Sequence, residues 1–389
     1  MKYSIVEMPS REQLCHGIVE RVTQENAFVR HRKAGEEERV RHHDCSTHDV
    51  AIELATELVT DGQTGIIRSP SEIGAVGHRV VHGGEKYAQS VIVDDEVMRD
   101  IERYAELAPL HNPANLAGIR GAVRSLPSIP HVAVFDTAFF ATLPPYVFIY
   151  GLPYEWYEQH HVRRYGFHGS SHYWVSRRAS ALLGKRPEEV NVITIHMGNG
   201  VSITAIKDGK ACDHSMGFTP LEGAVMGTRC GDIDPAIPLY VMRKEGLSAE
   251  AMEDILNRKS GLLGITGKYI DRREILAAIQ RGEDRARLAF DIECYRLRKY
   301  IGAYMAVLGR VDAIVFTAGA GENSHLHRLK TCEGLEFLGV EIDPEMNRAA
   351  VAGLDDVEIS KPGSRVKLFV IPTNEELVLA EEAFTACAN

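Results

Sequence analysis

IHMGNGVSITAIKDGK, residues 195–210, sets two arms of apolar and β-branched residues around Gly198-Asn199-Gly200, and a second tight turn follows at Asp208-Gly209. The alternation reads as a β-hairpin. Its glycine pair admits two readings. One is steric, because Asn-Gly turns recur wherever a hairpin needs positive φ. The other is chemical, because glycines let backbone N–H groups converge on phosphate oxygens. Taken alone, the stretch is accounted for by the plain hairpin.

A second glycine cluster shifts that balance. VFTAGAGENS (315–324) is a β-type run that ends in Gly319-Ala320-Gly321-Glu322-Asn323, the pattern of a strand leading through a loop into a helix, where a nucleotide can lie against backbone. Neither GxGxxG nor GxxxxGK[ST] occurs at these places, so the dinucleotide fold and the P-loop are both disfavoured. Two strand-terminal glycine loops without either fingerprint point to a different nucleotide-binding fold.

Around them, AVGHRVVHGG, HVAVFDTA, VNVITIHMG, VSITAIKDG, VDAIVFTAG and RVKLFVIPT are β-type runs bounded by glycine or polar residues. Between residues 284 and 308, Phe290, Cys294, Leu297, Ile301, Tyr304 and Leu308 recur at helical spacing, and Gly309 supplies a stop. Strands alternating with helices predict an α/β protein with mostly buried sheets. At 389 residues the chain exceeds one ordinary core and fits two domains. The crowded stretch FFATLPPYVFIYGLPYEWYE places a boundary after Asp136.

The 54 acidic residues outnumber the 44 lysines and arginines, giving a formal charge of −10. No basic surface advertises nucleic acid, and anionic substrates are left to local arginines. The N-terminus lacks a leader pattern and no run approaches bilayer length, which predicts a cytoplasmic protein without a membrane role. Seven scattered cysteines without a CxxC pair read as reduced packing residues. The histidine-rich stretch around residues 41–48 reads as a charged loop or helix start in preference to a zinc site.

Several charged residues sit where α/β sites collect. Arg79 and His82 flank the β run GHRVVHGG, His168 lies in the glycine-flanked loop RRYGFHGSSH, and Arg229 stands between glycines in MGTRCGDIDP. A lone arginine is usually a surface ion-pair partner worth little. Here the flanking glycines favour close approach of an anion. His168 reads equally as a packed or loop-capping histidine and as a functional one. Asp136 ends the strand HVAVFD, where it is either a cap or a site carboxylate. Asn374-Glu375-Glu376 opens the last helix, a position at which carboxylates often only complement the dipole.

Together GHRVVHGGEKY, LAPLHNPANLAGI, VFDTAFF, RRYGFHGSSH, SMGFTPLEGAVMGTRCGDIDPA, VFTAGAGENS and IPTNEEL resemble the acetate kinase family, block by block and in order over essentially the whole chain. The resemblance implies the two-domain ATPase architecture of sugar kinases, heat-shock chaperone ATPases and actin, with a nucleotide cleft between domains. Residues 1–137 with 373–389 would form an N-terminal ATPase-like domain, and residues 138–372 a C-terminal nucleotide-binding and dimerisation domain. The implied reaction is reversible phosphoryl transfer from ATP to acetate, giving acetyl phosphate and ADP, by a homodimer using Mg2+ or Mn2+. Propionate or butyrate kinase, or a non-catalytic nucleotide-binding relic, are the alternatives.

By motif position, the resemblance makes Asp136, His168 and Arg229 catalytic. Arg79 binds substrate with Val81, Leu110, Phe167 and Pro220, the last four forming a pocket for the acetate methyl group. ATP contacts fall to Lys2, His196, Met197, Gly198, Asn199, Gly200, Asp271, Arg272, Arg273, Gly319, Ala320, Gly321, Glu322 and Asn323, and a magnesium ligand to Glu375. The family assigns the Asp136 position as an acid or base. A substrate carboxylic acid is already ionised at neutral pH and needs no base, so Asp136 is expected to orient an arginine or a hydrated magnesium.

The sequence departs from the family at its start. Family members open with a strand running into Asn-Ala-Gly-Ser-Ser-Ser, whereas this chain opens at Met1-Lys2-Tyr3-Ser4. The first strand and its phosphate turn are expected upstream, lost through a misplaced start codon or trimming. Val201 also replaces a serine after the Gly-Asn-Gly turn, and Ala320 a larger aliphatic.

Overall fold

The apolar runs become strands in the computed structural model, which describes all residues except 110, 352, 354 and 389. The chain divides into two compact units, Met1–Ala138 with Asn374–Asn389, and Phe139–Thr373.

In the first unit, β1 (Lys2–Glu7), β2 (Glu12–Glu20), β3 (Phe28–Lys33) and β4 (Arg39–His42) form an antiparallel sheet in that order. A three-stranded sheet has the order β5-β7-β6, with β5 (Val76–Val80) parallel to β7 (His131–Phe135) and β6 (Val91–Ile92) antiparallel to it. The helix His48–Thr60 closes one core through Ala51, Leu54 and Leu58 against Val19 and Val29. A second core gathers Val80, Ile101, Leu116, Ile119 and Phe135.

The chain's last helix, Glu375–Ala388, packs on β5 and β7 and also touches β1. Its approach requires a glycine on β5, because a Cβ at Gly77 would stand 2.5 Å from the carbonyl oxygen of Leu379. That close seat fixes Glu375 at the helix start beside the end of β5.

The second unit holds a six-stranded sheet of order β10-β9-β8-β11-β13-β12. Its strands are β8 (Asn191–Met197), β9 (Val201–Lys207), β10 (Lys210–His214), β11 (Ala313–Thr317), β12 (Val357–Glu358) and β13 (Lys367–Val370). The three middle strands β8, β11 and β13 are parallel, and every residue in them except the first of β13 is buried. The helix Gly169–Leu182 covers one face, joining Val175 and Ala179 to Val192, Val315 and Phe369. With a period of two, Ile193 and Ile195 point to the opposite face. The long helix Asp284–Leu308 packs against β8 and β9, and Gly309 ends it at φ 71°.

The six expected strands and this helix are all present. Two details differ. Residues 41 and 42 close strand β4, although His48 does open a helix, capped by Thr47, as one of the two readings had it. Cys387 is exposed, so it is not a packing residue like buried Cys15, Cys45, Cys294 and Cys332. Among the described residues no helix is long and apolar enough to cross a membrane.

Candidate active site

The 195–210 stretch is the hairpin its sequence implies. Met197 pairs with Val201 across Gly198-Asn199-Gly200, and Lys207 pairs with Lys210 across Asp208-Gly209, both at positive φ. The first turn is crowded by the side chains of His168 and Arg229. A Cβ at Gly200 would lie 3.1 Å from His168 Cε1 and 3.3 Å from Arg229 Nη1, so any other residue would press both side chains back by a few tenths of an ångström.

His168 ends the RRYGF loop in the left-handed conformation, φ 59°, and opens the helix Gly169–Leu182. Its ring stacks on His196 at 4.1 Å. Nδ1 is 2.8 Å from Ser202 Oγ, which is also 2.8 Å from His172 Nε2; His172 Nδ1 in turn meets Thr194 Oγ1 at 2.6 Å. Burial, with His196 nearby, drives the His172 pKa well below its ordinary value and keeps that ring neutral. The hydroxyls at either end of neutral His172 can each donate or accept, so the chain accommodates His168 Nδ1 as acceptor or as donor.

Arg229 is mostly buried. Its Nη1 donates to the Pro220 carbonyl at 2.9 Å and meets Met226 Sδ at 3.6 Å, and among the described residues no carboxylate pairs with it. Burial lowers its pKa. A largely buried guanidinium with no counter-ion among the described residues is able to take an anion. Phe167, beside His168, is buried, and its N–H donates to His214 Nε2 at 3.1 Å.

The second glycine cluster folds against the first. After β11, Ala318–Asn323 makes one helical turn broken at Gly319, φ 20°. A Cβ at Gly319 would stand 2.7 Å from the Met197 carbonyl, so the two loops touch through their backbones. Glu322 is turned inward. Its Oε1 accepts from Ala318 N at 2.7 Å and Thr373 N at 3.1 Å, clasping the loop. Asn323 Nδ2 donates to the Gly319 carbonyl at 2.8 Å. Fully buried Arg328 donates to the carbonyls of Gly321, Glu322, Asn347 and Ala350 and to Asn347 Oδ1.

Arg272 supports the hairpin from beneath, donating from Nη1 to the Gly198 carbonyl at 3.0 Å and from Nε and Nη2 to Glu293 Oε1 at 2.9 and 2.6 Å. Its neighbours are oriented differently. Asp271 caps the next helix and pairs with Arg273, whose side chain is 91% exposed.

The first unit assembles its own cluster. Asp136 follows β7, is held by its N–H to the Val80 carbonyl at 2.9 Å, and is only 1% exposed. Arg79 grips it through Nε at 3.0 and 3.2 Å and Nη2 at 2.7 Å, a charge-assisted fork, and the Arg79 side chain stays 39% exposed. Glu375 Oε2 lies 3.8 Å from Arg79 Nε, and Lys2 Nζ lies 3.9 Å from Glu376. Burial raises the Glu375 pKa, with Asp136 and Glu376 adding to the rise and Arg79 and Lys2 opposing it. Buried Val81 begins a loop whose backbone is pinned by Asn115, Asn112 and Thr137. Leu110 lies outside the described residues.

Lys2, Arg79, Val81, Asp136 and Glu375 thus gather in the first unit, and His168, residues 196–200, Arg229, Pro220 and residues 319–323 in the second. Sequence reasoning missed Ser202, His172, Glu293, His327 and Arg328. For Glu293 a signal existed, since it lies three residues after Phe290 and four before Leu297, a charge inside an apolar stripe.

A model described as the acetokinase family matches residues 1–381. Among curated proteins, the acetate kinase of Geobacter metallireducens is 52% identical over 382 residues, 98% of this chain and 91% of the relative. Among solved structures, Porphyromonas gingivalis acetate kinase superposes with a TM-score of 0.92 at 45% identity, covering 99% of this chain and 96% of that one. A propionate kinase from Francisella tularensis gives 0.91 at 38% identity, with the same coverage.

Proposed function

The chain belongs to the acetokinase family, and from that premise we propose that it transfers the γ-phosphoryl group of ATP to acetate, reversibly, giving acetyl phosphate and ADP. The observation that carries the reading is Arg229, a largely buried guanidinium with no carboxylate partner among the described residues, set with His168 against the Gly198–Gly200 turn.

In the forward reaction an acetate oxygen forms a bond to the γ-phosphorus as the bond to the β-bridging oxygen breaks, and charge develops on the equatorial oxygens. Arg229 and His168 are donors for that charge, already in place before it appears. Backbone N–H groups of residues 198–200 and 319–321 hold the nucleotide. Arg79 binds the carboxylate or the phosphoryl group, and Asp136 holds its guanidinium in one orientation. No proton has to leave acetate, so this arrangement needs no base. Val81, Leu110, Phe167 and Pro220 receive the methyl group.

The donor set of the first unit fits a magnesium ion. That ion takes few protein ligands beside water and phosphate oxygens, and Glu375 with nearby Asp136 offers hard carboxylates in a spot where burial first, and then repulsion from Asp136 and Glu376, raise the Glu375 pKa. When bound, magnesium neutralises the β- and γ-phosphate oxygens. The protein works in the cytoplasm as a homodimer formed through the second unit. Exposed Ile237, Leu239 and Tyr240 on the helix Ala236–Glu245 support such an interface.

Trapping acyl phosphate with hydroxylamine tests the reading. With ATP and magnesium, acetate should give hydroxamate fastest. Propionate should follow at kcat/KM about tenfold or more lower, since one methylene is worth about 1–3 kcal/mol in an apolar pocket. Hydroxamate from butyrate ahead of acetate, or from neither acid, would refute it.

A further inference from the structure

A chain of buried polar groups runs under both glycine loops of the second unit. At one end the Gly198 carbonyl accepts from Arg272. In the middle Glu293, fully buried on the helix Asp284–Leu308, takes two hydrogen bonds from Arg272 on one oxygen. Its other oxygen stands 3.3 Å from His327 Nε2, off the line of a hydrogen bond. His327, itself buried, meets Ser324 Oγ through Nδ1 at 2.6 Å. Ser324 closes the 318–323 turn, donating its N–H to the Ala320 carbonyl at 2.9 Å. Arg328, which follows His327 in the chain, holds the carbonyls of Gly321 and Glu322.

The placement of charge explains why a carboxylate is kept so deep. Burial alone would raise the Glu293 pKa, but Arg272 first, and then His327, outweigh it and hold it down at about 2. Arg272 in turn has all three nitrogens engaged, two on Glu293 and one on Gly198. Its guanidinium is a strut between helix and hairpin, and its direction is set by the carboxylate behind it.

We infer that Glu293 is a positioning residue for the nucleotide: through Arg272 it sets the hairpin turn at Gly198, and through His327 and Ser324 it sets the 318–323 loop, so that both loops present their backbone in register. This rests on the reading that those loops hold ATP and ADP. It places the effect on nucleotide affinity, with acetate affinity spared, because neither Arg229 nor Pro220 is part of the chain.

The test measures ADP binding by calorimetry and the two KM values for Glu293→Gln, Arg272→Met and the double variant. Glu293→Gln and Arg272→Met should each weaken ADP and raise the KM for ATP by about tenfold, with the KM for acetate within about twofold of the parent. The double variant should be no worse than the weaker single one, since the pair acts as a unit. Removing one partner of a buried pair strands the other charge, so Arg272→Lys is included. It keeps a positive charge beside Glu293 but lacks the guanidinium fork, and it should show the same loss confined to nucleotide. ADP affinity at the parent's level in a folded Glu293→Gln or Arg272→Lys protein would overturn the inference, as would equal rises in both KM values or a lowered melting temperature with ADP binding intact. Should the parent bind ADP yet make no acetyl phosphate, the proposed activity falls, while the link from Glu293 to ADP affinity is still decided by ADP binding to the variants.

Discussion

Asp136 and Arg79 illustrate how far a single pair of side chains can be read. The fork between them fixes the guanidinium through three contacts of 2.7–3.2 Å while the Arg79 side chain as a whole stays more than a third exposed. If Asp136 orients Arg79, Asp136→Asn should lower kcat/KM for acetate about 10- to 100-fold, the size of a lost hydrogen bond to a charged group of about 1.5–3 kcal/mol. The pH profile between 6 and 8 should keep its shape. Loss of a limb of the profile in the variant would instead assign proton transfer to Asp136. Both residues were legible in the sequence, because one stands at a strand end and the other beside glycines. Glu293 was harder to see. A carboxylate within a helical stripe looks like an error in the pattern until its arginine, 21 residues away, is brought beneath it.

Among the elements, the strands buried on both faces announced themselves. Residues 191–197 and 313–317 are rich in valine and isoleucine, as buried central strands favour. Strands β2, β3 and β4 did not, since EQLCHGIVE, FVRHRK and RVRH mix charge into a sheet that is half-buried or exposed. The helix Gly169–Leu182 and strand β10 carry buried histidines that no sequence period reveals. Burial drives the pKa values of His172 and His214 well below the ordinary histidine value of 6.5. Unfolded, both histidines take a proton near pH 6.5; folded, they do not. The unfolded state therefore binds more protons below that pH, and stability present at pH 7.5 is lost as pH falls, by up to about 1.4 kcal/mol per pH unit for each ring. The urea midpoint should be lower at pH 5.5 than at pH 7.5, in a range where carboxylates with ordinary pKa values remain ionised. A midpoint that is unchanged or higher at pH 5.5 would contradict this assignment.

For the molecule as a whole, a net charge of −10 does nothing to attract ATP or acetate. Attraction has to come from a few placed cations. Arg79 stands in one unit with its carboxylates, and Arg229 in the other stands without one among the described residues. The two-unit α/β organisation was legible from length and from the alternation of strand and helix. The return of residues 373–389 to the first unit came from the family resemblance alone, because nothing nearby in sequence marks the glycine on β5 that seats the last helix there. The proposed reaction moves a phosphoryl group between a carboxylate and a nucleotide. Phosphorus NMR of acetyl phosphate, ADP and magnesium with the protein added follows that transfer in the reverse direction. ATP resonances should grow in step with the loss of acetyl phosphate. Inorganic phosphate as the sole product, or decay no faster than without the protein, would show that no such transfer takes place.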